Sequence, residues 1–480
     1  MFHRNPLRPI DRRDALRQLG AGFGTLGLAS MLAPSNAVSG VAHADVVSHS
    51  DSPLAPRAPH FAPKAKHVIQ LFMPGGPSQV DTFDYKPEIA KHAGQRPESV
   101  DRKSLRNTKM GLMPSPYAFR QHGQCGRWVS EIFPHVAELV DDLCFIHSMH
   151  TDTPEHASAM MMMNVGHLQP TRPSMGSWLT YGLGTENQDL PGFIAMSPRA
   201  QPRNKLANWG NAFLPGAFAG TYVNIHEMKP DRIMQDLKNN WLPQTDQRHQ
   251  ADLLTRLNLL DLQRQQHDPQ LEASIQTMEM AFRMQFAVPA AFDTSKESKE
   301  TLEMYGDSEY AKGCLLARRL VERGVRMVQL SLSIDGYDIA WDTGHENIVD
   351  GHRRLALACD QGIAALIKDL KQRGLFEETL VVWGGEFGRA PTSEGQMGRD
   401  HDHYGFTTWM AGGGVKGGIS YGSTDEFGLT AVEDRVHVHD LHATILHLMG
   451  LDHERLTYRY SGRDYRLTDV HGKVVSEIIS

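Results

Sequence analysis

Carboxylate and imidazole side chains gather in loops that follow apolar runs of this chain. Asp342 and His345 belong to an Asp-Thr-Gly-His segment, Glu386 follows two glycines directly, and His401 and His403 alternate with aspartates in residues 400–403. Such groups, brought together at one place, need a compensating cation, and they are ligands of Zn, Mn or Ca. The sequence therefore predicts a divalent-metal site built from Asp342, His345, Glu386, His401 and His403.

Each of these segments also has a purely structural interpretation. Residues 342–345 fit a turn that caps a helix, and residues 400–403 fit a solvated loop. Ser78 and Asp81, which follow the first apolar run, are further contributors to a site, but Asp81 equally fits a helix cap. The residues alone leave these alternatives open.

The elements around these loops predict an α/β fold. The apolar run His67–Met73 predicts a buried strand, and it ends at the breakers Pro74 and Gly75. Further along, the pattern predicts helix 308–323, strand Val325–Leu332, helix 350–373 and strand Thr379–Trp383. This alternation is typical of βαβ units in a mainly parallel sheet, whose ligands bind beyond the carboxyl ends of the strands. Apolar residues at helical spacing also predict a helix within residues 128–141.

Several motifs together resemble an uncharacterised exported sulfatase-like family, a domain of unknown function in the alkaline phosphatase superfamily. The resemblance covers about residues 60–475. It depends on a twin-arginine start and on the segments Gly75–Ser78, His147–His156, Asn164–His167, Pro173–Trp178, Trp383–Arg389 and Gly398–His401.

The resemblance implies an alkaline-phosphatase-like α/β domain, with a mainly parallel central sheet flanked by helices and a metal site at the strand ends. Thr153 would be the nucleophile, activated through metal coordination, although Thr153-Pro154 also fits a helix N-cap. His156 would be a ligand, a general acid or a phosphate contact. Arg389 would hold an anionic substrate by paired hydrogen bonds, and His401 or His403 would be the last histidine ligand.

The chain also departs from the superfamily pattern. The first strand ends in Pro74-Gly75 where a metal-binding Asp is usual, and Phe387 cannot bind a metal. No cysteine lies in the context that sulfatases convert to formylglycine. Two functions therefore stay open: a metal-dependent hydrolase of phosphate or sulfate esters, and a catalytically silent relative that binds an anionic ligand or polysaccharide in the same cleft.

The N-terminus predicts export. Arg12-Arg13, a short Gly-rich apolar run and the small residues Ser35 and Ala37 describe a twin-arginine signal peptide over residues 1–37. Residues 38–60 read as a linker and 61–480 as the functional domain. We therefore expect the twin-arginine translocase as a partner and a periplasmic or extracellular location.

The composition limits the other partners. The formal net charge is −7, and removal of residues 1–37 makes it more negative, which argues against a nucleic-acid partner. No run reaches the roughly 18 apolar residues that a membrane span needs. An anionic small molecule or polysaccharide is the expected substrate.

The export prediction can be tested directly. Replacing Arg12 and Arg13 together with Lys should leave the precursor in the cytoplasm, because the paired guanidinium groups are the feature that the translocase reads. Cell fractionation with immunoblotting measures this. Unchanged export of the double variant would contradict the assignment.

Overall fold

A nine-stranded mixed sheet forms the centre of the molecule in the computed structural model, which describes residues 53–101, 110–226, 287–334 and 336–480 together with Leu253. Among these residues the strand order is β12-β4-β11-β8-β1-β7-β5-β6, with β15 paired to β4. The strands of this sheet are β1 (His67–Phe72), β4 (Leu143–His150), β5 (Phe193–Ser197), β6 (Thr221–Asn224), β7 (Met327–Ser331), β8 (Thr379–Gly384), β11 (Phe406–Ala411), β12 (Ile419–Tyr421) and β15 (Val436–His437).

The sheet is mainly parallel. Strand β1 lies between β7 and β8 and runs parallel to both, and β5 runs parallel to β6 and β7. Strand β11 is antiparallel to both β4 and β8. Because β4 and β8 both oppose β11, they run in the same direction, and the carboxyl ends of β1, β4, β7 and β8 meet at one edge of the sheet.

Helices cover both faces of the sheet. Helices α8 (Glu309–Val321) and α9 (Ile348–Gln372) pack on one face, and α5 (His156–Val165), α6 (Met175–Leu183) and α10 (Val438–Leu448) pack on the other. Side chains of β1 divide between the two cores, since Ile69 and Leu71 join the first and Val68 and Phe72 the second. Burial on both faces explains why β1 is continuously apolar rather than alternating.

The remaining elements are short. The helices are α1 (Gln79–Thr82), α2 (Pro87–Lys91), α3 (Glu98–Asp101), α4 (Pro134–Ala137) and α7 (Lys299–Tyr305). Among the described residues, four strand pairs lie outside the main sheet: β2 (Phe119–His122) with β3 (Arg127–Ser130), β9 (Gly388–Arg389) with β10 (His401–Asp402), β13 (Ser423–Thr424) with β14 (Ala431–Glu433), and β16 (Tyr458–Tyr460) with β17 (Arg463–Tyr465). Two of the 3₁₀ turns are Ala340–His345 and Lys205–Asn208. The other 3₁₀ turns are Val140–Asp142, Gly216–Phe218, Thr294–Lys296, Phe376–Glu378 and Ser476–Ile478.

The predicted α/β class and the mainly parallel sheet flanked by helices are confirmed. The predicted helix within residues 128–141 is wrong. Trp128 and Val129 pair with β2 in a hairpin, and Pro134 begins a separate one-turn helix. Proline lacks the N–H that a continuing helix needs, so the apolar spacing could not extend across it.

The N-terminal segments fall mostly outside the described residues. The signal peptide predicted over residues 1–37 and the linker up to residue 52 are not described. Within the described part of that linker, Leu54 is buried and Arg57 N–H donates to Leu183 O at 2.9 Å, so this stretch packs on the domain. In the part of the chain that is described, no helix combines the length and apolar character required to cross a bilayer.

Candidate metal centre

Four strand ends border the candidate site. The loop after β1 carries Gly75, and His156 opens α5 a few residues after β4. The 3₁₀ turn after β7 carries Asp342 and His345, while Glu386 lies two residues after β8. The short β9–β10 pair then sets His401 opposite Arg389 in register. The parallel direction of the four strands is therefore what collects these residues at one edge.

Three imidazole rings converge on one carboxylate oxygen. Asp342 Oδ1 lies 3.0 Å from His156 Nε2, 3.2 Å from His401 Nε2 and 3.3 Å from His345 Nε2. The Nε2 atoms of His345 and His401 are themselves 2.7 Å apart. These four residues are called the His₃Asp cluster below.

Each ring of the cluster is held from behind through its other nitrogen. His156 Nδ1 lies 2.5 Å from Glu386 Oε1, and His345 Nδ1 contacts the carboxylate of Glu394. His401 Nδ1 lies 2.8 Å from the carbonyl oxygen of Pro154. Histidines that bind metals are usually oriented in this way, by an acceptor on the nitrogen that faces away from the ion.

The contact with Pro154 fixes the tautomer of His401. A carbonyl oxygen only accepts, so Nδ1 of His401 must carry the proton. Burial, with Arg389 nearby, lowers the pKa of His401 to about 4 despite the opposing effect of Asp342, so the ring is neutral at pH 7. Its Nε2 therefore presents a lone pair towards the carboxylate oxygen of Asp342. Two electron-rich atoms at this distance repel each other unless a cation lies between them.

The donor set thus fits a divalent metal ion. His156, Asp342 and His401 each offer one ligand atom, and these atoms lie within 4.8 Å of one another. His345, Asp400 and His401 form a second such group. Imidazole nitrogens with one carboxylate are ordinary ligands of Zn and related ions.

The charge balance of the cluster depends on these contacts. Burial raises the pKa of Asp342, but the hydrogen bond from His156 and the charge of Arg389 outweigh it and hold that pKa well below its usual range. Burial lowers the pKa of His156, yet its hydrogen bonds to Asp342 and Glu386 reverse the direction and raise it. Asp342 is therefore an anion at neutral pH, as a metal ligand must be.

Gly75 lets two of the loops approach each other. Its φ is +111°, and a Cβ atom there would lie 2.4 Å from Asp342 N and 2.6 Å from Trp341 N. Its own N–H donates to Glu386 Oε1 at 2.9 Å. Only glycine tolerates both the conformation and the contact, so the breaker after β1 positions Asp342 and Glu386 together.

Arg389 does not have the role that the resemblance implies. It is fully buried, and Nε donates to Gly76 O at 2.9 Å while Nη1 donates to Arg399 O at 3.2 Å. Nη2 bonds the carbonyl oxygens of Gly75 and Trp341 and lies 2.9 Å from Asp342 Oδ1. Since its donors already have protein partners, Arg389 positions loops and is not free to hold a substrate.

Ser78 and Asp81 form a second buried network away from the His₃Asp cluster. The carboxylate of Asp81 pairs with Arg399 at 2.6 Å and accepts from Ser78 Oγ at 2.5 Å. Ser78 N–H donates to His352 Nε2 at 3.0 Å. Their predicted part in a metal site is not what these contacts indicate, because an arginine already neutralises the carboxylate.

The two other predicted ligands, Glu386 and His403, lie outside the convergent atoms of the cluster. Glu386 is fully buried behind His156, where it orients the ring rather than joining the convergent atoms. The backbone oxygen of His403 accepts from Thr151 N–H at 3.0 Å, and its ring packs on Tyr404, outside both metal-binding groups.

Thr153 lies just before the cluster in the chain. Its hydroxyl accepts from Glu155 N–H at 3.2 Å, so it closes a local turn. Helix α5 begins at His156 and is capped by Glu155, which accepts from Ala157 and Ser158 N–H. The N-cap interpretation of Thr153 is therefore wrong, because the acidic side chain two residues later takes that position.

Two functional contacts were missed from the sequence. Glu394 contacts His345, and the carbonyl of Pro154 contacts His401. Neither has a sequence signal of its own, because a backbone carbonyl has no residue type and Glu394 lies in an ordinary loop.

The fold and the cluster define an α/β protein with a histidine–carboxylate centre at the strand ends. Residues 65–479 match the family described as "Protein of unknown function (DUF1501)", and the chain belongs to that family. The resemblance predicted from the motifs, to a family of unknown function, is thereby confirmed. No curated protein sequence matches the chain.

Several solved structures are distantly similar. One is titled Ps i-CgsB in complex with k-i-k-neocarrahexaose, at 11% identity and a TM-score of 0.38, covering 80% of this chain and 72% of that one. The lipoteichoic acid synthase LtaP from Listeria monocytogenes has 9% identity and a TM-score of 0.33, covering 86% of this chain and 78% of that one. Alkaline phosphatase from the Antarctic bacterium TAB5 has 10% identity and a TM-score of 0.32, covering 81% of this chain and 99% of that one. Similarities of this size do not assign an activity to this chain.

Replacing Asp81 with Asn tests the separation of the two networks. We expect unfolding to become easier by about 3–5 kcal/mol, because the variant leaves Arg399 buried without its partner. Burial raises the pKa of Asp81 but Arg399 lowers it further, so this stabilisation is present at neutral pH and is lost in acid below about pH 3.9.

Thermal melts at pH 7 and at pH 3 measure this effect, with metal content determined alongside. Asp464→Asn, in an exposed pair with Arg459, is the control and should leave the Tm unchanged. Loss of metal from Asp81→Asn at an unchanged Tm would instead indicate that Asp81 belongs to the metal site.

Proposed function

We propose that this protein is an exported, metal-dependent hydrolase of phosphate or sulfate esters, with the His₃Asp cluster as its metal centre. Support comes from the side chains that converge at the carboxyl ends of four strands, where ligands bind in open α/β sheets. The cluster is partly open, since the side chain of Asp342 is 26% exposed and that of His345 is 18% exposed. A ligand can therefore reach the oxygen on which the rings converge.

The observation that carries the proposal is the lone pair of His401 facing Asp342. An imidazolium could bridge two carboxylates without a metal, and His156 between Asp342 and Glu386 fits that description. His401 does not, because Pro154 O fixes its proton on the far side of the ring. A cation between His401 and Asp342 removes the conflict that the metal-free arrangement contains.

The donors favour some ions over others. Three imidazole nitrogens suit Zn or Mn, whereas Ca takes oxygen ligands almost exclusively. Of the three ions expected from the sequence, Ca is therefore the poorest fit. We propose Zn or Mn at one position, and His345, Asp400 and His401 as the donors of a rearranged second one.

Each residue of the site has a different proposed role in the reaction. An ion held by the cluster would supply Lewis acidity at the ester group. Glu386 holds the proton on Nδ1 of His156, and Pro154 does the same for His401, so both rings keep their Nε2 atoms turned inward. Thr153 is the proposed nucleophile, since only Pro154 and Glu155 separate it from His156.

Among the described residues, Arg203 is an accessible cation on a loop that contacts the segments carrying the cluster residues. Its side chain is 44% exposed, and Nε lies 3.2 Å from Asp338, which precedes Asp342 in the same loop. The next residue, Asn204, donates from Nδ2 to the carbonyl of Ala157 at 2.7 Å. The loop is thus anchored to both segments that carry cluster residues, and Arg203 can meet an anionic ester in place of the buried Arg389.

The second function, a silent relative that binds an anionic ligand in this cleft, has one observation in its favour. The hydroxyl of Thr153 is engaged only with the backbone of Glu155, and Arg389 is withdrawn into the protein. Metal binding without turnover would support this alternative.

Metal analysis is the first test. We expect the purified protein to hold about one Zn or Mn ion per chain. His156→Ala, Asp342→Asn and His401→Ala should each abolish tight binding, because the two Ala variants remove a donor atom and the Asn variant removes the negative charge of the carboxylate ligand. Glu386→Gln should keep the ion but weaken its affinity by about 10–100-fold, as expected for a residue that orients a ligand. Elemental analysis after dialysis and competition with a chelator give these values.

A matched control is available at His226. This exposed histidine also pairs with a carboxylate, Glu309, at 2.6 Å, but it lies away from the cluster. His226→Ala should leave metal content unchanged. Equal metal content in the three cluster variants and the wild type would refute the proposed centre.

The ester chemistry is tested with aryl phosphates, phosphodiesters and aryl sulfates in the presence of Zn or Mn. Thr153→Ala should lower kcat by roughly 1,000-fold or more, because removal of a nucleophile abolishes its step. In the same assay Arg203→Ala should raise KM about 10-fold with kcat retained, since it affects substrate binding alone.

Thr153→Ser and Arg203→Lys are the conservative controls and should restore much of the respective loss. Full activity in Thr153→Ala would exclude the covalent step. Absence of turnover on every ester class, with the ion bound, would favour the binding function instead.

A further inference from the structure

A separate pocket, of about 130 Å³, lies between the β2–β3 hairpin and the β4–β12 edge of the sheet. None of its residues belongs to the His₃Asp cluster. It is lined by Phe83, Asp84, Tyr85, Gly126, Arg127, Trp128, Phe145, His147 and Ser420.

The floor of the pocket is rigid. Phe145 and His147 point to the same side of β4, with ring centroids 5.9 Å apart and planes within 5° of parallel. His147 Nδ1 lies 3.1 Å from Thr407 Oγ1, and Nε2 lies 3.3 Å from Ser420 Oγ. Hydrogen-bonding partners on both ring nitrogens hold the imidazole in place.

The mouth of the pocket carries an exposed aromatic platform. Tyr85 is 39% exposed and Trp128 is 40% exposed. Their ring centroids are 4.5 Å apart with an interplanar angle of 34°, and Phe119 packs on Tyr85 at 5.1 Å. Two adjoining large rings left in water offer a broad apolar surface with polar tips, which suits a ligand that has one apolar face.

Arg127 brings a charge without a counterion into the same pocket. Its Nε atom is buried and has no hydrogen-bond partner, and its Nη2 reaches only Gly418 O at 3.4 Å. No carboxylate among the described residues forms an ion pair with it. Asp84, which also lines the pocket, is already paired with Lys86 at 3.1 Å and with Thr424. A buried guanidinium N–H without an acceptor is costly, and an anionic ligand would supply one.

We propose that this pocket binds an anionic saccharide unit. The apolar face of the sugar ring would stack on Tyr85 and Trp128, and its sulfate or carboxylate group would accept hydrogen bonds from Arg127. The adjoining, tilted rings form a platform rather than a slot between parallel faces, which favours a pyranose over a flat base. The pocket would hold a saccharide independently of the metal centre.

Calorimetry at low salt tests this with four probes: a sulfated heparin disaccharide, digalacturonate, neutral cellobiose and inorganic sulfate. We expect one or both anionic disaccharides to bind at least 10-fold more tightly than cellobiose and than sulfate alone. The sulfated and carboxylated arms distinguish the two sources of the negative charge. Arg127→Ala and Trp128→Ala should each weaken that binding at least 10-fold.

Two controls separate binding from folding. Arg353→Ala removes an exposed arginine outside this pocket, which lies over the ring of Tyr117 at 5.3 Å, and this variant should bind like the wild type. Arg127→Lys should keep part of the affinity and the fold, with the Tm of every variant measured alongside. Chelator-treated protein should bind the disaccharide unchanged, so failure of the metal proposal would not alter this result.

Three outcomes would overturn the proposal. Inorganic sulfate that binds as tightly as the disaccharides would show that the aromatic platform contributes nothing. Unaltered affinity in folded Arg127→Ala and Trp128→Ala would place the binding elsewhere. Binding by none of the probes would refute the proposal.

Discussion

The guanidinium group of Arg389 is the constraint on which the rest of the site depends. It bonds the carbonyl oxygens of Gly75, Trp341 and Arg399 and the carboxylate of Asp342, and so joins the loops that follow β1, β7 and β8. A cation buried to this extent requires full hydrogen bonding and a nearby anion. Asp342 supplies the anion, and the same oxygen that neutralises Arg389 is the one on which the three imidazoles converge.

The sequence predicts the fold well where both faces of an element are buried. The run His67–Met73 and the strand Thr379–Trp383 are mostly apolar because helices cover both sides of the sheet, so length and breakers suffice to locate them. The helical spacing of the apolar residues within 128–141 is misleading, because these buried side chains belong to three separate local structures. Helical spacing arises there by accident, and Pro134 is the one residue that could have shown it.

Prediction of the site was limited by geometry rather than by residue type. Asp342, His345 and His401 meet as expected, because parallel strands bring their loops to one edge. Glu386 was expected to be a ligand, but its place two residues after β8 leaves it behind His156, one layer further from Asp342 Oδ1. Only the path of the backbone decides between these layers. The same reason explains why the predicted role of Arg389 was wrong. Its guanidinium group suits anion binding, but its burial prevents contact with a substrate.

The position of β1 has a consequence for how the chain acquires its structure. This first strand lies in the middle of the sheet, between β7 and β8, whose residues follow more than half the chain later. Pairings this distant in sequence make folding slow and leave an apolar strand with two open edges until synthesis is nearly complete. Since His401 is later still, the His₃Asp cluster is completed late in folding. A metal ion at the proposed centre would therefore be taken up late, from the compartment in which folding ends.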